Sequence, residues 1–240
     1  MTTTIPSALV HVLAKTRCVL LDFDGPICAV FADGRDAEVA DEMRAILRRH
    51  EIEPPGEVNS AYNPLRILRY AYELGQADVM TEIEDFLREA ELRAVADALP
   101  TPDAADTMLA CHEAGRPLGI VSNNSAPAIE AFLDAHGLSH LVLAVVGRKP
   151  IRPDLMKPHP DPVNRVLAIL DTPASDCVLV GDSLTDIEVA HATGVRSIGY
   201  IRSPSRRRAL LAALPNAVTQ SMATLAAAIR ASQPAARTSS

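Results

Sequence analysis

Tryptophan is absent from this chain of 240 residues, and aromatic residues make up only 3% of it. The core must therefore be aliphatic, and an aromatic platform for stacking single-stranded nucleic acid is not expected. Cysteine is scarce and scattered: Cys18, Cys28, Cys111 and Cys177 form no CxxC pair. That spacing speaks against a disulfide scaffold or a zinc site and suits a reduced, cytoplasmic protein. No export leader is apparent, because Met1 to Lys15 lacks a basic start followed by a long apolar run. The longest uncharged stretch, Ala209 to Ile229, is broken by Pro215, Asn216 and Gln220, so it reads as a turn plus amphipathic helix and not as a membrane span. A basic stripe is also missing. Lys and Arg number 23 against 30 Asp and Glu, for a net charge of −7. From Asp33 to Asp97 there are 16 acidic and 8 basic residues, which leaves 14 and 15 for the rest of the chain. A phosphate backbone would be repelled by the acidic segment and held nowhere else, which argues against nucleic-acid binding.

Apolar residues make up 48% and charged residues 22%, an ordinary globular balance. Five continuous apolar runs read as strands buried on both faces: Cys18 to Leu21, Leu118 to Val121, Leu141 to Val146, Cys177 to Val180 and Val195 to Tyr200. Helical stretches alternate with them, at Thr101 to Gly115, Ser125 to His136, Asp161 to Leu170 and Leu184 to Thr193. This alternation predicts an α/β fold, a Rossmann-like parallel sheet flanked by helices. Between Asp33 and Leu99 no strand signal appears. Asp36 to Arg49, Leu65 to Leu74 and Val79 to Ala98 read as helices, the last with a stripe of Ile83, Phe86, Leu87 and Ala90. The expected organisation is a core of residues 1–29 and 100–231 and a small α-helical cap domain of residues 30–99. Connections near 29–33 and 98–102 would serve as hinges, and residues 232–240 would form a flexible polar tail.

Four polar clusters follow predicted strands: Asp22-Phe23-Asp24-Gly25, Ser122-Asn123-Asn124, Lys157-Pro158-His159-Pro160-Asp161 and Gly181-Asp182-Ser183-Leu184-Thr185-Asp186. The carboxyl ends of parallel strands form the ligand crevice of such sheets. Asp22, Asp24 and Asp182 would repel one another there and need a cation. Hard oxygen donors without His or Cys suit Mg²⁺, which also accepts substrate phosphate as a ligand. Lys157 adds positive charge toward the same anion, in preference to Lys149, which also precedes a proline.

Taken in order, DxDG, Ser-Asn after a strand, KPxPD and GDSxTD resemble the haloacid dehalogenase superfamily of phosphohydrolases. The resemblance covers about Arg17 to Tyr200, and the helical block after the first motif is similar to the family's first cap class. It implies Asp22 as nucleophile and Asp24 as general acid and base. It further implies Ser122 and the Asn123 backbone on the transferring phosphoryl group, Gly25 at a tight turn beside it, and Lys157 as charge stabiliser. Mg²⁺ would be held by Asp22, the Asp24 carbonyl and Asp182, with Asp186 supporting that shell. The implied activity is hydrolysis of a small phosphorylated metabolite. A phosphosugar mutase is the alternative within the family, although Asp33-Gly34-Arg35 offers no His where the mutases tend to carry one. A non-catalytic phosphate-binding module is the alternative outside it. Dehalogenating relatives lack the second Asp, which Asp24 supplies.

Several other residues have simpler readings. Cys28 is expected to pack, and His159 to be solvated or bonded to backbone. Arg148 and Arg152 are expected in a solvated loop, and Glu82, Glu84, Asp85 and Glu89 on a solvated helix face. Arg35 is a candidate contact for the leaving group. Substrate and oligomeric state are not legible in the sequence.

Overall fold

The computed structural model describes residues 5–232. After a first helix, α1 (Ser7–Ala14), strand β1 (Cys18–Leu21) enters the centre of the molecule. Four helices follow with no strand between them: α2 (Arg35–Arg49), α3 (Gly56–Asn59), α4 (Pro64–Glu73) and α5 (Ala77–Asp97). The alternation then resumes with α6 (Ala104–Glu113), β2 (Leu118–Ser125), α7 (Ala126–Ala135), β3 (Ala144–Arg148), α8 (Asp161–Ile169) and β4 (Cys177–Gly181). It closes with α9 (Leu184–Thr193), β5 (Arg196–Tyr200), α10 (Pro204–Ala212), β6 (Ala217–Thr219) and α11 (Met222–Ala231). No helix among the described residues is long and apolar enough to cross a membrane. Of the expected tail, residues 233–240 lie outside the described residues, while Ser232 is buried and accepts from Arg116.

All strand pairs are parallel, in the order β3-β2-β1-β4-β5-β6. Every residue of β1 is buried, because successive side chains point into opposite layers. Val19 and Leu21 join one apolar cluster with α1, α6, α7 and α11, while Cys18 and Leu20 join another with α8 and α9. This double burial is why the strands appear in the sequence as unbroken apolar runs. The edge strand β6 has only three residues and was not anticipated. The strand order reverses between β1, which continues to β2, and β4, so the loops after β1, β2 and β4 open onto one crevice.

The helical insert has its own apolar cluster, including Ala40, Met43, Leu47, Ile67, Leu68, Ile83 and Leu87. Phe86, expected in the core stripe, is only partly buried beside it. Met156, the residue before Lys157, also belongs to this cluster and is 3% exposed. The loop between β3 and α8 is thus fastened into the insert. Truncating such a side chain typically costs about 2–5 kcal/mol. Met156→Ala is therefore expected to speed limited proteolysis within α2–α5 while α6–α11 keep their resistance. Uniform acceleration across the chain would contradict a local fastening.

The second connection of the insert is not loose. The helical stretch expected from Thr101 starts only at Ala104, after Asp103. The Thr101 hydroxyl instead donates to the Gly25 carbonyl at 2.7 Å, and its N–H donates to the Ile27 carbonyl at 2.7 Å. His136, just after α7, donates to the Ala98 carbonyl at 3.1 Å.

Candidate active site

Strand β1 delivers Asp22 to the crevice, with its N–H bonded to the Val180 carbonyl of β4 at 2.9 Å. Asp22 Oδ1 accepts from Phe23 N–H at 2.7 Å and lies 2.9 Å from Lys157 Nζ. Lys157 is 1% exposed. Its ammonium also donates to the Val121 carbonyl at 2.9 Å and to Asp186 Oδ1 at 2.5 Å. Lys149 is exposed, so the preference for Lys157 agrees with its place beside Asp22. Burial works against the Lys157 charge, but Asp186 and Asp22 hold the ammonium above its ordinary range.

Asp186 has both oxygens engaged. Oδ1 meets Lys157, and Oδ2 accepts from Ser183 N–H at 3.0 Å and Ser183 Oγ at 2.7 Å. Ser183 in turn caps α9 by accepting from Asp186 N–H at 3.3 Å. An added Cβ at Gly181 would come within 2.2 Å of Asp186 Cγ, so only glycine lets this carboxylate sit against β4. Gly25 plays the same part for Asp182. Its φ is +107°, and an added Cβ would lie 2.6 Å from Asp182 Cγ.

Asp22, Asp182 and Asp186 each offer a carboxylate oxygen within 4.8 Å of the others, and all three are buried. Burial and the neighbouring Asp186 charge push Asp22 up to about 8, against the pull of Lys157. Burial pushes Asp182 up to about 6 despite Arg202 and Arg206, whose guanidinium groups lie 3.2 Å from its Oδ2. Burial also raises Asp24, whose Oδ1 accepts from Val30 N–H at 3.1 Å. The Asp24 carboxylate thus stands outside the three-carboxylate group, although the residue lines the same cleft.

Ser122 is 2% exposed, and its hydroxyl donates to Asn124 Oδ1 at 3.1 Å. Asn123 ties two motifs together: Oδ1 accepts from Lys157 N–H at 2.8 Å, and Nδ2 donates to the Lys157 carbonyl at 3.2 Å. A cleft of about 410 Å³ lies over these residues and is lined by both core and insert. Arg66, Arg69 and Glu91 face it from the insert. Arg69 reaches across to the Lys157 carbonyl at 3.2 Å. Arg35 is not among the lining residues.

Other expectations need correction. Arg148 is buried, not solvated, and pairs with Glu84 at 2.9 Å and Glu91 at 2.8 Å. Glu84 is accordingly buried too, unlike Glu82, Asp85 and Glu89 on the same helix. By contrast, Arg152 pairs with Asp154 on an exposed loop, and His159 Nδ1 accepts from Asp161 N–H at 3.1 Å. Cys28 is wholly buried, and burial raises its thiol far above the ordinary value, which fits a packing role.

The family model for haloacid dehalogenase-like hydrolases matches residues 19–200. The chain belongs to this family. The hydrolase is 29% identical over 184 residues to a phosphoglycolate phosphatase of Shigella boydii, covering 76% of this chain and 67% of the relative. Its fold is similar to that of a predicted phosphatase from Clostridium acetobutylicum, with a TM-score of 0.67 and 19% identity over 89% of this chain and 98% of that one. A hydrolase from Pseudomonas syringae gives a TM-score of 0.66 at 16% identity, over 88% and 96% of the two chains.

Proposed function

We propose that this hydrolase is a Mg²⁺-dependent phosphatase of a small phosphomonoester, working through an aspartyl-phosphate on Asp22. The Asp22–Lys157–Asp186 arrangement carries the reading. A carboxylate and a buried ammonium lie 2.9 Å apart at the end of β1, in a cleft lined by core and insert, which supports Asp22 as the nucleophile. In this reading the insert, residues 30–99, is the cap domain.

Asp22 Oδ attacks phosphorus, and the P–O bond to the leaving group breaks. Lys157 offsets the charge that the phosphoryl oxygens bring to Asp22 and fixes that carboxylate's position. Ser122 Oγ and the backbone of Asn123 donate to the phosphoryl oxygens. Asp24, raised by burial, holds a proton for the departing alkoxide, and afterwards takes one from the water that attacks the aspartyl-phosphate. Phosphate leaves and Asp22 is restored. The three buried carboxylates, with no His or Cys among them, fit a hard divalent cation. Asp22, Asp182 and the Asp24 carbonyl would hold Mg²⁺, and Asp186, saturated by Lys157 and Ser183, would support them. When bound, Mg²⁺ neutralises charge on the phosphoryl group and the carboxylates. Among the described residues no histidine lines the cleft, which favours the phosphatase over the mutase. The Shigella boydii relative makes a small phosphorylated carboxylate a first substrate to assay, with turnover measured as phosphate release.

The raised carboxyls give a pH signature. The folded protein holds protons on Asp22 and Asp182 that the unfolded chain has released. Their stabilisation is fully present below the ordinary carboxylate value, near about pH 4, and is lost as pH rises through about 6 and about 8. Mg²⁺ favours the ionised forms and should offset the loss. The rise in unfolding temperature on adding Mg²⁺ is expected to be small at about pH 5 and several degrees at about pH 8. An equal rise at both would contradict this assignment of the cation site.

A further inference from the structure

Glu91 of α5 is 1% exposed, and its carboxylate accepts four hydrogen bonds. Oε1 accepts from Arg148 Nη1 at 2.8 Å and Asn124 Nδ2 at 3.2 Å, and Oε2 accepts from Ser125 N–H at 3.0 Å and Arg148 Nη2 at 3.3 Å. Arg148 also donates through Nη1 to the Asn123 carbonyl at 2.9 Å. Glu91 and Arg148 together grip Asn123, Asn124 and Ser125, three successive residues at the end of β2, where the pairing with β3 shifts register between Val121 and Ser125. The Asn123 side chain in turn holds both backbone groups of Lys157. Glu84, one face-repeat earlier on α5, is hydrogen-bonded among the described residues to Arg148 alone: Oε1 accepts from Nε at 3.0 Å and Nη2 at 2.9 Å, and Oε2 from the same Nε at 3.3 Å.

We propose that Glu91, held by Arg148, is a positioning residue that fixes the Ser122–Ser125 end of β2 from the insert side. The inference rests on the reading that this segment receives the phosphoryl group. Glu84 anchors the helix but does not set the segment. The hydrogen bonds at Ala98 and Thr101 hold the end of α5 against the core. So does the packing of α5 against α7, which continues from the same segment.

The chemistry separates the two glutamates. A glutamine at 91 would present its NH₂ to a donor whichever way the amide is turned. At least one buried donor would lose its partner, which shifts the opening equilibrium by roughly fivefold to a hundredfold. At position 84 a glutamine can keep its carbonyl oxygen in the place of Oε1, which already accepts from both Arg148 Nε and Nη2, so neither donor loses its partner. Both variants are nearly isosteric and remove one of two carboxylates from the same network. The test is amide hydrogen exchange of the whole protein, without substrate, read on peptides spanning residues 119–127. Glu91→Gln is expected to exchange at least about fivefold faster there, with wild-type rates in α6 and α11. Glu84→Gln is expected to match the wild type. In parallel, Glu91→Gln should lower kcat on a small phosphomonoester by about tenfold to a hundredfold with little change in KM, as misplacement of a positioning loop does. Equal exchange in the two variants, or acceleration spread evenly over the chain, would overturn the inference. The exchange contrast needs no turnover, so it decides the positioning claim separately from the phosphatase reading.

Discussion

Asp22→Asn is expected to lower phosphate release by about 10⁴-fold or more, the scale of loss when a nucleophile is removed. The variant should remain folded. Asparagine fills the same volume, and Lys157 keeps Asp186 as its partner. Stability should hold or rise at neutral pH, because burial and Asp186 already disfavour an ionised Asp22. The measurement pairs steady-state phosphate release in Mg²⁺ with a thermal unfolding curve. Turnover near the wild-type rate would remove Asp22 from the chemistry, and loss of activity together with loss of fold would show a structural role instead.

Asp24→Asn should separate two kinds of substrate. An alkoxide leaving group is a strong base and must take a proton as the P–O bond breaks, whereas a nitrophenolate needs none. Losing a general acid typically costs about 10²–10⁴ in rate where proton transfer matters. In a single turnover, the variant should release alkoxide from a sugar phosphate slower by that factor, yet give a burst of nitrophenolate close to wild type. Steady-state turnover should fall for both, because breakdown of the aspartyl-phosphate still needs Asp24 as a base. Equal loss of the first step with both substrates would assign Asp24 to building the site through its backbone.

The sheet was largely legible because parallel strands buried on both faces leave unbroken apolar runs, as in Cys18–Leu21 and Cys177–Gly181. Strand β3 was misplaced toward its start, since Ser139–Leu141 is a short 3-10 turn and the strand begins at Ala144. Asp22 and Asp182 were legible because they sit directly after β1 and β4, whereas Ser122 to Asn124 lie inside the end of β2 and Lys157 lies beyond a loop after β3. The polar bridge between core and insert was not legible. Charged residues carry a strong expectation of solvent, and Arg148 was read that way with Glu84. A signal was present nonetheless: Glu84 and Glu91 are seven residues apart and fall on the apolar stripe of Met80, Ile83, Leu87, Ala90 and Ala94. Two acids on a buried face require a buried base, and Arg148 supplies it. Arg202 and Arg206 could not be placed either. Their contact with Asp182 depends on the turn after β5, which carries no motif.

The central claim is a phosphoryl group carried on Asp22, and the Asp24→Asn variant offers the most direct view of it. That variant should form the aspartyl-phosphate from nitrophenyl phosphate and break it down slowly. Acid quench during the burst, followed by digestion and mass spectrometry, is expected to find one phosphoryl group on Asp22, in an amount equal to the nitrophenolate released. Nitrophenolate released without any phosphorylated peptide, or a phosphoryl group on another residue, would contradict the account.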